Sequence, residues 1–328
     1  MIHNVVSVSG GKDSTATLLL AIERETPNLR CVFADTGHEH QATYDYLDYL
    51  EQQLGVTIQR VRADFSARIN KRRQKLEEML LLDTKTVHSK GWLKKHVREA
   101  LKTLHATGNP FLDLCIWKGR FPSMKARFCT DELKVIPIQD QVIWPLLQNP
   151  GATIESWQGI RWDESKARST AVEREGIEPD AERVFAYRPI LSWSASEVFD
   201  FHRRHGIKHN PLYEQGMGRV GCMPCINCRK GELQQIATRF PEVVARLAKW
   251  ERIVSSASRR GSSTFFPAVN DPTVITTDAI AHDTHGIARM VEWSATARGG
   301  RQLDLVSAAD DGSACSSLYG LCDAPPTV

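Results

Sequence analysis

The sequence predicts an α/β fold: a doubly wound, mostly parallel sheet with a basic helical insertion and a C-terminal extension. Three observations predict it. Residues 1–62 alternate short apolar runs with helix-like segments in the order βαβαβ, the pattern of a parallel sheet covered on both faces. A glycine turn, Ser9-Gly10-Gly11-Lys12-Asp13-Ser14, joins the first strand to the first helix, and ligands of such sheets lie at the carboxyl ends of strands. The α/β alternation then resumes at Ile154, beyond a stretch of quite different charge.

The elements follow in order. Asn4–Val8 reads as the first strand and Ser14–Glu25 as the first helix. A second strand, Leu29–Ala34, runs into Asp35-Thr36-Gly37. Tyr44–Leu54 reads as a helix and Thr57–Val61 as a third strand. In the insertion, 66–128, Leu76, Met79 and Leu80, then Leu93, Val97, Leu101 and Leu104, recur at helical spacing. Ile154–Ile160 is a strand that leads into Arg161, and Val184–Arg188 is another. Ser194 and Glu197 form a capping box ahead of Val198, Phe199 and Phe201. From residue 255 the chain turns richer in Ser, Ala, Gly and Thr, with a strand expected at Met290–Trp293. The expected organisation is one domain over 1–254, with a cysteine segment at 218–230, followed by an extension over 255–328.

The 328 residues carry a net charge of only +3, but that total conceals an asymmetry. Between Ser66 and Phe128 there are fifteen Lys and Arg against five Asp and Glu. Trp92, Phe111, Trp117 and Phe121 are interleaved with them. Such a stretch suits a nucleic-acid backbone and unstacked bases. It equally suits the solvated faces of amphipathic helices, or a small anionic substrate. No apolar run approaches the ~20 residues of a membrane helix, and the N-terminus lacks the charged and apolar regions of a signal peptide. A cytoplasmic location and no membrane partner are therefore expected. Eight cysteines in such a chain argue for metal or redox chemistry rather than a disulfide framework.

The glycine turn is suited to anions. Its backbone amides and the positive end of the helix dipole converge on one place, and adjacent glycines allow close approach. Lys12 adds charge, and Ser7, Ser9 and Ser14 add hydroxyls. A Walker A loop would need glycine where Val6 stands and Ser or Thr where Asp13 stands. The G-x-G-x-x-G dinucleotide pattern is absent too.

Cys222, Cys225 and Cys228 form a C-x2-C-x2-C run, with Cys129 the candidate for a fourth ligand. Four thiolates can hold zinc, but the tight run is closer to iron–sulfur usage, so a [4Fe-4S] cluster is expected ahead of zinc. Cys31 and Cys115 read as buried and inert. Cys315 and Cys322 are either a redox or sulfur-carrying pair or two thiols of a packed tail.

SGGKDS resembles the PP-loop of the adenine nucleotide alpha-hydrolase superfamily, whose members cut ATP between the α and β phosphates. Four regions together resemble the phosphoadenosine-phosphosulfate (PAPS) reductase-like family: that loop, Phe33–Gly37, Gly159-Ile160-Arg161 through Arg168, and Asn210-Pro211-Leu212-Tyr213 through Cys225. The resemblance implies a Rossmann-like sheet with ATP phosphates and Mg²⁺ at Ser9–Ser14. It implies adenosine near Asp35 and Thr36, and anionic groups at Gly159, Arg161 and Arg168. It makes Lys12, Asp13, Ser14 and Arg161 the catalytic candidates. Reductases of the family carry their catalytic cysteine before Gly-(Ile/Leu)-His, whereas Cys322 is followed by Asp323 with no neighbouring histidine. An intact loop with a cysteine cluster is similar to the sulfur-transferring, DndC-like branch, whose Cys-Thr-Asp-x-Leu-Lys pattern resembles Cys129–Lys134. The function this implies is adenylylation of an acceptor for sulfur transfer. The acceptor would be DNA or tRNA at the basic insertion, and the sulfur donor a protein such as a cysteine desulfurase. The alternatives are a PAPS or adenosine phosphosulfate reductase releasing sulfite, and a non-catalytic nucleic-acid-binding module.

Overall fold

The computed structural model describes residues 1–81, 92, 94–166, 168–266 and 285–296. Successive residues of a strand point to opposite faces, and in β1 (Ile2–Ser7) both faces are buried: Val5 and Val6 are each fully enclosed. Val5 joins a core with Val32, Val61, Ile138, Ile143 and Ile154, while Val6 joins another with Leu18, Leu19, Phe33, Leu47 and Trp157. A strand buried on both sides requires helices on both sides, which is the doubly wound arrangement.

The chain reaches it through α1 (Lys12–Glu23), β2 (Leu29–Asp35), α2 (Gln41–Leu54) and β3 (Ile58–Arg62). After the insertion come β4 (Thr153–Trp157), β5 (Arg174–Gly176), β6 (Val184–Tyr187) and a helix, Ala195–Arg204. The sheet order is β3-β2-β1-β4-β6-β5. Every pairing is parallel except that of the short edge strand β5 with β6. Val6 stands in register between Cys31 of β2 and Trp157 of β4. The order reverses direction between β1 and β4, the switch point at whose carboxyl ends such sheets bind their ligands. The helix Ala195–Arg204 starts with the expected capping box: Ser194 Oγ accepts the Glu197 amide, and Glu197 accepts the Ser194 amide.

The described chain forms two compact units. The first, Met1–Ala63 with Thr130–Met223, contains the sheet. It also contains a helical run through Leu147, with π-helical turns at Asp131–Val135 and Gln139–Ile143. Each π turn runs into a proline, Pro137 or Pro145, which has no amide to continue an α-helical ladder.

The second unit, Asp64–Cys129 with the described residues of Pro224–Gly300, is helical. Its helices are α3 (Ser66–Leu81), α4 (Lys94–Thr103) and α5 (Pro110–Lys118), then Lys230–Arg239, Pro241–Ser256 and Ile287–Ser294. The last replaces the strand expected at Met290–Trp293. Ile287 and Ser294, seven residues apart, are its buried positions, a helical period that the four residues Met290–Trp293 are too few to reveal. Phe111 and Phe121 do not interleave with the cations as expected. Both are buried, and Phe111 stacks on Trp250 at 5.8 Å and meets Phe265 at 6.2 Å. Arg72 also points inward and donates to the carbonyls of Ile116, Trp117 and Ala257. Arg73 donates to Leu101 O and Leu104 O. No described helix is long and apolar enough to cross a membrane.

Candidate functional site

The loop after β1 closes on itself. Ser14 Oγ accepts the Ser9 amide at 3.1 Å, lies 3.1 Å from Ser9 Oγ and donates to Gly11 O at 3.0 Å. Gly10 has φ +75, and a Cβ there would meet Thr43 Cγ2 at 2.8 Å, so glycine answers both a backbone and a packing demand. Ser7 Oγ, at the end of β1, is buried with no hydrogen-bond partner among the described residues. Gly11 is the N-cap of α1 and contributes no side chain to capping.

The loop is held from two later segments. Asn210 Nδ2 donates to Gly10 O at 3.2 Å, and the Lys12 amide donates to Tyr213 Oη at 2.9 Å. His202 Nε2 lies 2.8 Å from Lys12 O. Burial lowers the His202 pKa, so the ring stays neutral at neutral pH, with Nε2 the donor to that carbonyl.

The β4 end supplies the opposite wall. A Cβ on Gly159 would fall 2.6 Å from Asp13 O and 2.7 Å from Ser14 N; only a glycine permits this backbone approach. Next to it, Arg161 Nε donates to Asp13 Oδ1 at 2.7 Å, and Asp13 Oδ2 meets Lys12 Nζ at 2.7 Å. Arg161 Nη1 also reaches Asp163, and its backbone amide donates to Glu164 Oε2. Glu164 in turn pairs with Arg168. Burial disfavours the Arg161 cation, but Asp13, Glu164 and Asp163 outweigh it and raise its pKa. The structure thus brings Ser9, Gly10, Gly11, Lys12, Asp13, Ser14, Gly159 and Arg161 together. Arg168 is buried and joins them through Glu164.

Asp35 and Thr36 lie at the carboxyl end of β2, beside β1. Asp35 Oδ1 accepts the Gly37 amide and the Tyr44 hydroxyl, and Oδ2 meets Arg62 Nε at 3.1 Å. Thr36 donates to Glu39 Oε1 at 2.7 Å, and the Tyr44 hydroxyl, whose one proton lies nearer Asp35, is 3.1 Å from Glu39 Oε2. Cys222 Sγ lies 3.7 Å from both Glu39 Oε1 and Thr36 Oγ1. Glu39, Tyr44 and His202 have no motif signal. Glu39 and Tyr44 meet Asp35 and Thr36 within nine positions, whereas His202 becomes visible only through its contact with Lys12, 190 positions away. Tyr213 and Asn210 lie in a segment that the sequence does mark.

Cys222 belongs to the first unit, and Cys129, Cys225 and Cys228 to the second. Among the described residues, no three His, Cys, Asp or Glu side chains are gathered so as to hold a metal ion. As residue types, the four are the donors that a thiolate-held centre takes. All four are half-buried thiols, and Asn227, between Cys225 and Cys228, is buried with neither amide atom hydrogen-bonded among the described residues. Cys31 is enclosed in β2, its thiol pushed up to about 12 by burial, and Cys115 is fully buried. Cys315 and Cys322 lie outside the described residues.

The sequence profile of the phosphoadenosine phosphosulfate reductase domain matches residues 3–108 and 121–228. The uncharacterized 37.8 kDa protein in the gpa 5′ region of Escherichia phage 186 is 48% identical over 327 residues, 98% of this chain and 96% of that one. The phosphoadenosine 5′-phosphosulfate reductase of Yersinia enterocolitica is 24% identical over 218 residues, 66% of this chain and 68% of that one. The crystal structure of the Candida auris phosphoadenylyl-sulfate reductase in its phosphate complex matches with a TM-score of 0.40 at 14% identity, covering 68% of this chain and 82% of that one.

Proposed function

The chain belongs to the phosphoadenosine phosphosulfate reductase domain family, and from that premise we propose that it splits ATP into AMP and pyrophosphate to activate an acceptor for sulfur transfer. The observation that carries this reading is the intact Ser9–Ser14 loop, walled by Gly159 and furnished with Lys12 and Arg161 around Asp13. Phosphates rest on the loop amides and hydroxyls, and adenosine lies toward Asp35 and Thr36. An acceptor oxygen attacks the α-phosphorus. The bond to the α–β bridging oxygen breaks, and pyrophosphate leaves with that oxygen. Lys12 and the helix dipole stabilise the charge that develops on it. Asp13 aims Lys12 and Arg161 by pairing with both. Mg²⁺ bound to the triphosphate would supply further charge neutralisation.

The outer sulfur of a cysteine persulfide, delivered by a donor such as a cysteine desulfurase, then attacks the activated centre; the adenylylated oxygen departs with AMP, and two electrons from a thiol reductant cleave the S–S bond and leave the sulfur on the acceptor. Cys129, Cys222, Cys225 and Cys228 would be the residues to hold a [4Fe-4S] cluster. Such a cluster supplies electron- or sulfur-handling capacity. The acceptor in this reading is DNA or tRNA, met by the exposed cations of the insertion in a cytoplasmic setting.

The test is pyrophosphate release from ATP by anaerobically purified protein, with and without DNA or tRNA, alongside iron quantification. Lys12→Ala is expected to abolish release while leaving bound iron unchanged. Normal turnover by that variant would remove the loop from the mechanism. The identity with the Yersinia reductase favours a second reading, a sulfonucleotide reductase. It predicts sulfite formation from PAPS that is lost in Cys322→Ser.

A further inference from the structure

Tyr213 is not among the catalytic candidates, yet its phenol oxygen is the partner of the first amide of α1. The opening amides of a helix have no intrahelical acceptor and are what an anion would bind. Lys12 N–H is one of them, and it donates to Tyr213 Oη at 2.9 Å. The turn that carries Tyr213 is anchored to the same loop a second time, through Asn210 and Gly10 O. The ring is seated edge-on against Phe199 at 5.7 Å. A phenol both accepts and donates. With its lone pair taken by Lys12 N–H, the oxygen still has its own proton to give.

We propose that Tyr213 is a phosphate-binding residue of the loop: it takes up the Lys12 amide and presents its phenolic proton to a phosphate oxygen of the bound nucleotide. The loop thereby exchanges a fixed backbone donor for a hydroxyl that can rotate toward its ligand. Burial raises the phenol pKa, so the proton is retained at neutral pH. The inference rests on the loop binding a nucleotide by its phosphates. The competing geometry makes Tyr213 a plug, which occupies the Lys12 amide and must be displaced before an anion can bind. The two geometries predict opposite signs for one substitution.

The experiment is calorimetric titration of the full chain and of Tyr213→Phe with ATP, inorganic pyrophosphate and adenosine. The variant keeps the ring against Phe199, and its thermal melt reports folding. The expected result is a loss of about tenfold or more in affinity for ATP and pyrophosphate, the scale of a hydrogen bond to a charged group, with adenosine unchanged. Unchanged or tighter binding of ATP by the variant overturns the inference and leaves the loop reading intact. An equal loss for adenosine also overturns it, because that is the mark of a structural role. Failure of the unsubstituted protein to bind either ATP or pyrophosphate removes the loop reading, and the inference with it.

Discussion

A methyl group on Gly159 would lie 2.6 Å from the Asp13 carbonyl oxygen and 2.7 Å from the Ser14 amide. Both neighbours are backbone at the start of a buried helix, so neither can move aside as a side-chain tip would. Gly159→Ala is therefore expected to cost about 1–3 kcal/mol, the range for overpacking, and to weaken ATP binding by displacing the loop. Denaturant midpoint and nucleotide affinity, measured together, check it; an unaltered midpoint would show that the wall does not touch the loop. Lys12, Asp13 and Ser14 were legible from their place after an apolar strand. Arg161 was legible as a residue but not in its engagement. Two arginines in a polar turn suggest anion capture, yet Arg161 is held by Asp13 and Asp163 and Arg168 by Glu164. Glu39 was not legible at all: its near partners Thr36 and Tyr44 form no recognisable motif with it, and its contact with Cys222 spans 183 positions.

The helix Ala195–Arg204 supplies the loop with a titratable support. His202 is buried and bonded to Lys12 O, and burial depresses its pKa. Proton linkage then has a definite sign. The unfolded chain, with an ordinary histidine near 6.5, takes up a proton that the folded chain resists. The contribution is intact above that value and declines as pH falls below it. The melting temperature is expected to fall between about pH 7 and pH 5, and His202→Gln should flatten that part of the profile. A slope of the same size in the variant would assign the effect to other groups. Long or strongly patterned elements were readable: β1, α1 and the capped helix begin within two residues of where periodicity and caps put them. The short edge strand β5 and the helix Ile287–Ser294 were not, since each is defined by what it packs on rather than by its own pattern.

Across the whole molecule, the net charge of +3 divides unevenly, and the second unit shows how. Arg72 and Arg73 are spent on helix carbonyls, while Lys71, Lys75, Lys95 and Arg98 remain exposed. Nucleic-acid binding in the proposed function would depend on the second group. Affinity for DNA or tRNA is expected to fall steeply with salt. Lys71→Glu with Lys75→Glu should lower the slope by about 0.9 for each phosphate of duplex DNA that is no longer neutralised. A slope identical to that of the unsubstituted protein would place the nucleic acid elsewhere or nowhere. Arg72→Met, by contrast, would act on folding, because it strips a half-buried cation from three carbonyls.

By itself the sequence determined the doubly wound core, the loop after β1 and the cysteine run. These are local matters: apolar alternation, adjacent glycines, and thiols two residues apart. The tertiary structure decided which cations face inward, which aromatics form the core of the helical unit, and which side chains hold the loop. Ion pairs such as Asp13–Arg161 and hydrogen bonds such as Lys12–Tyr213 join residues 148 and 201 positions apart. Their existence depends on how β1, β4 and the Asn210–Tyr213 turn come together, and no short-range pattern in the chain encodes that distance.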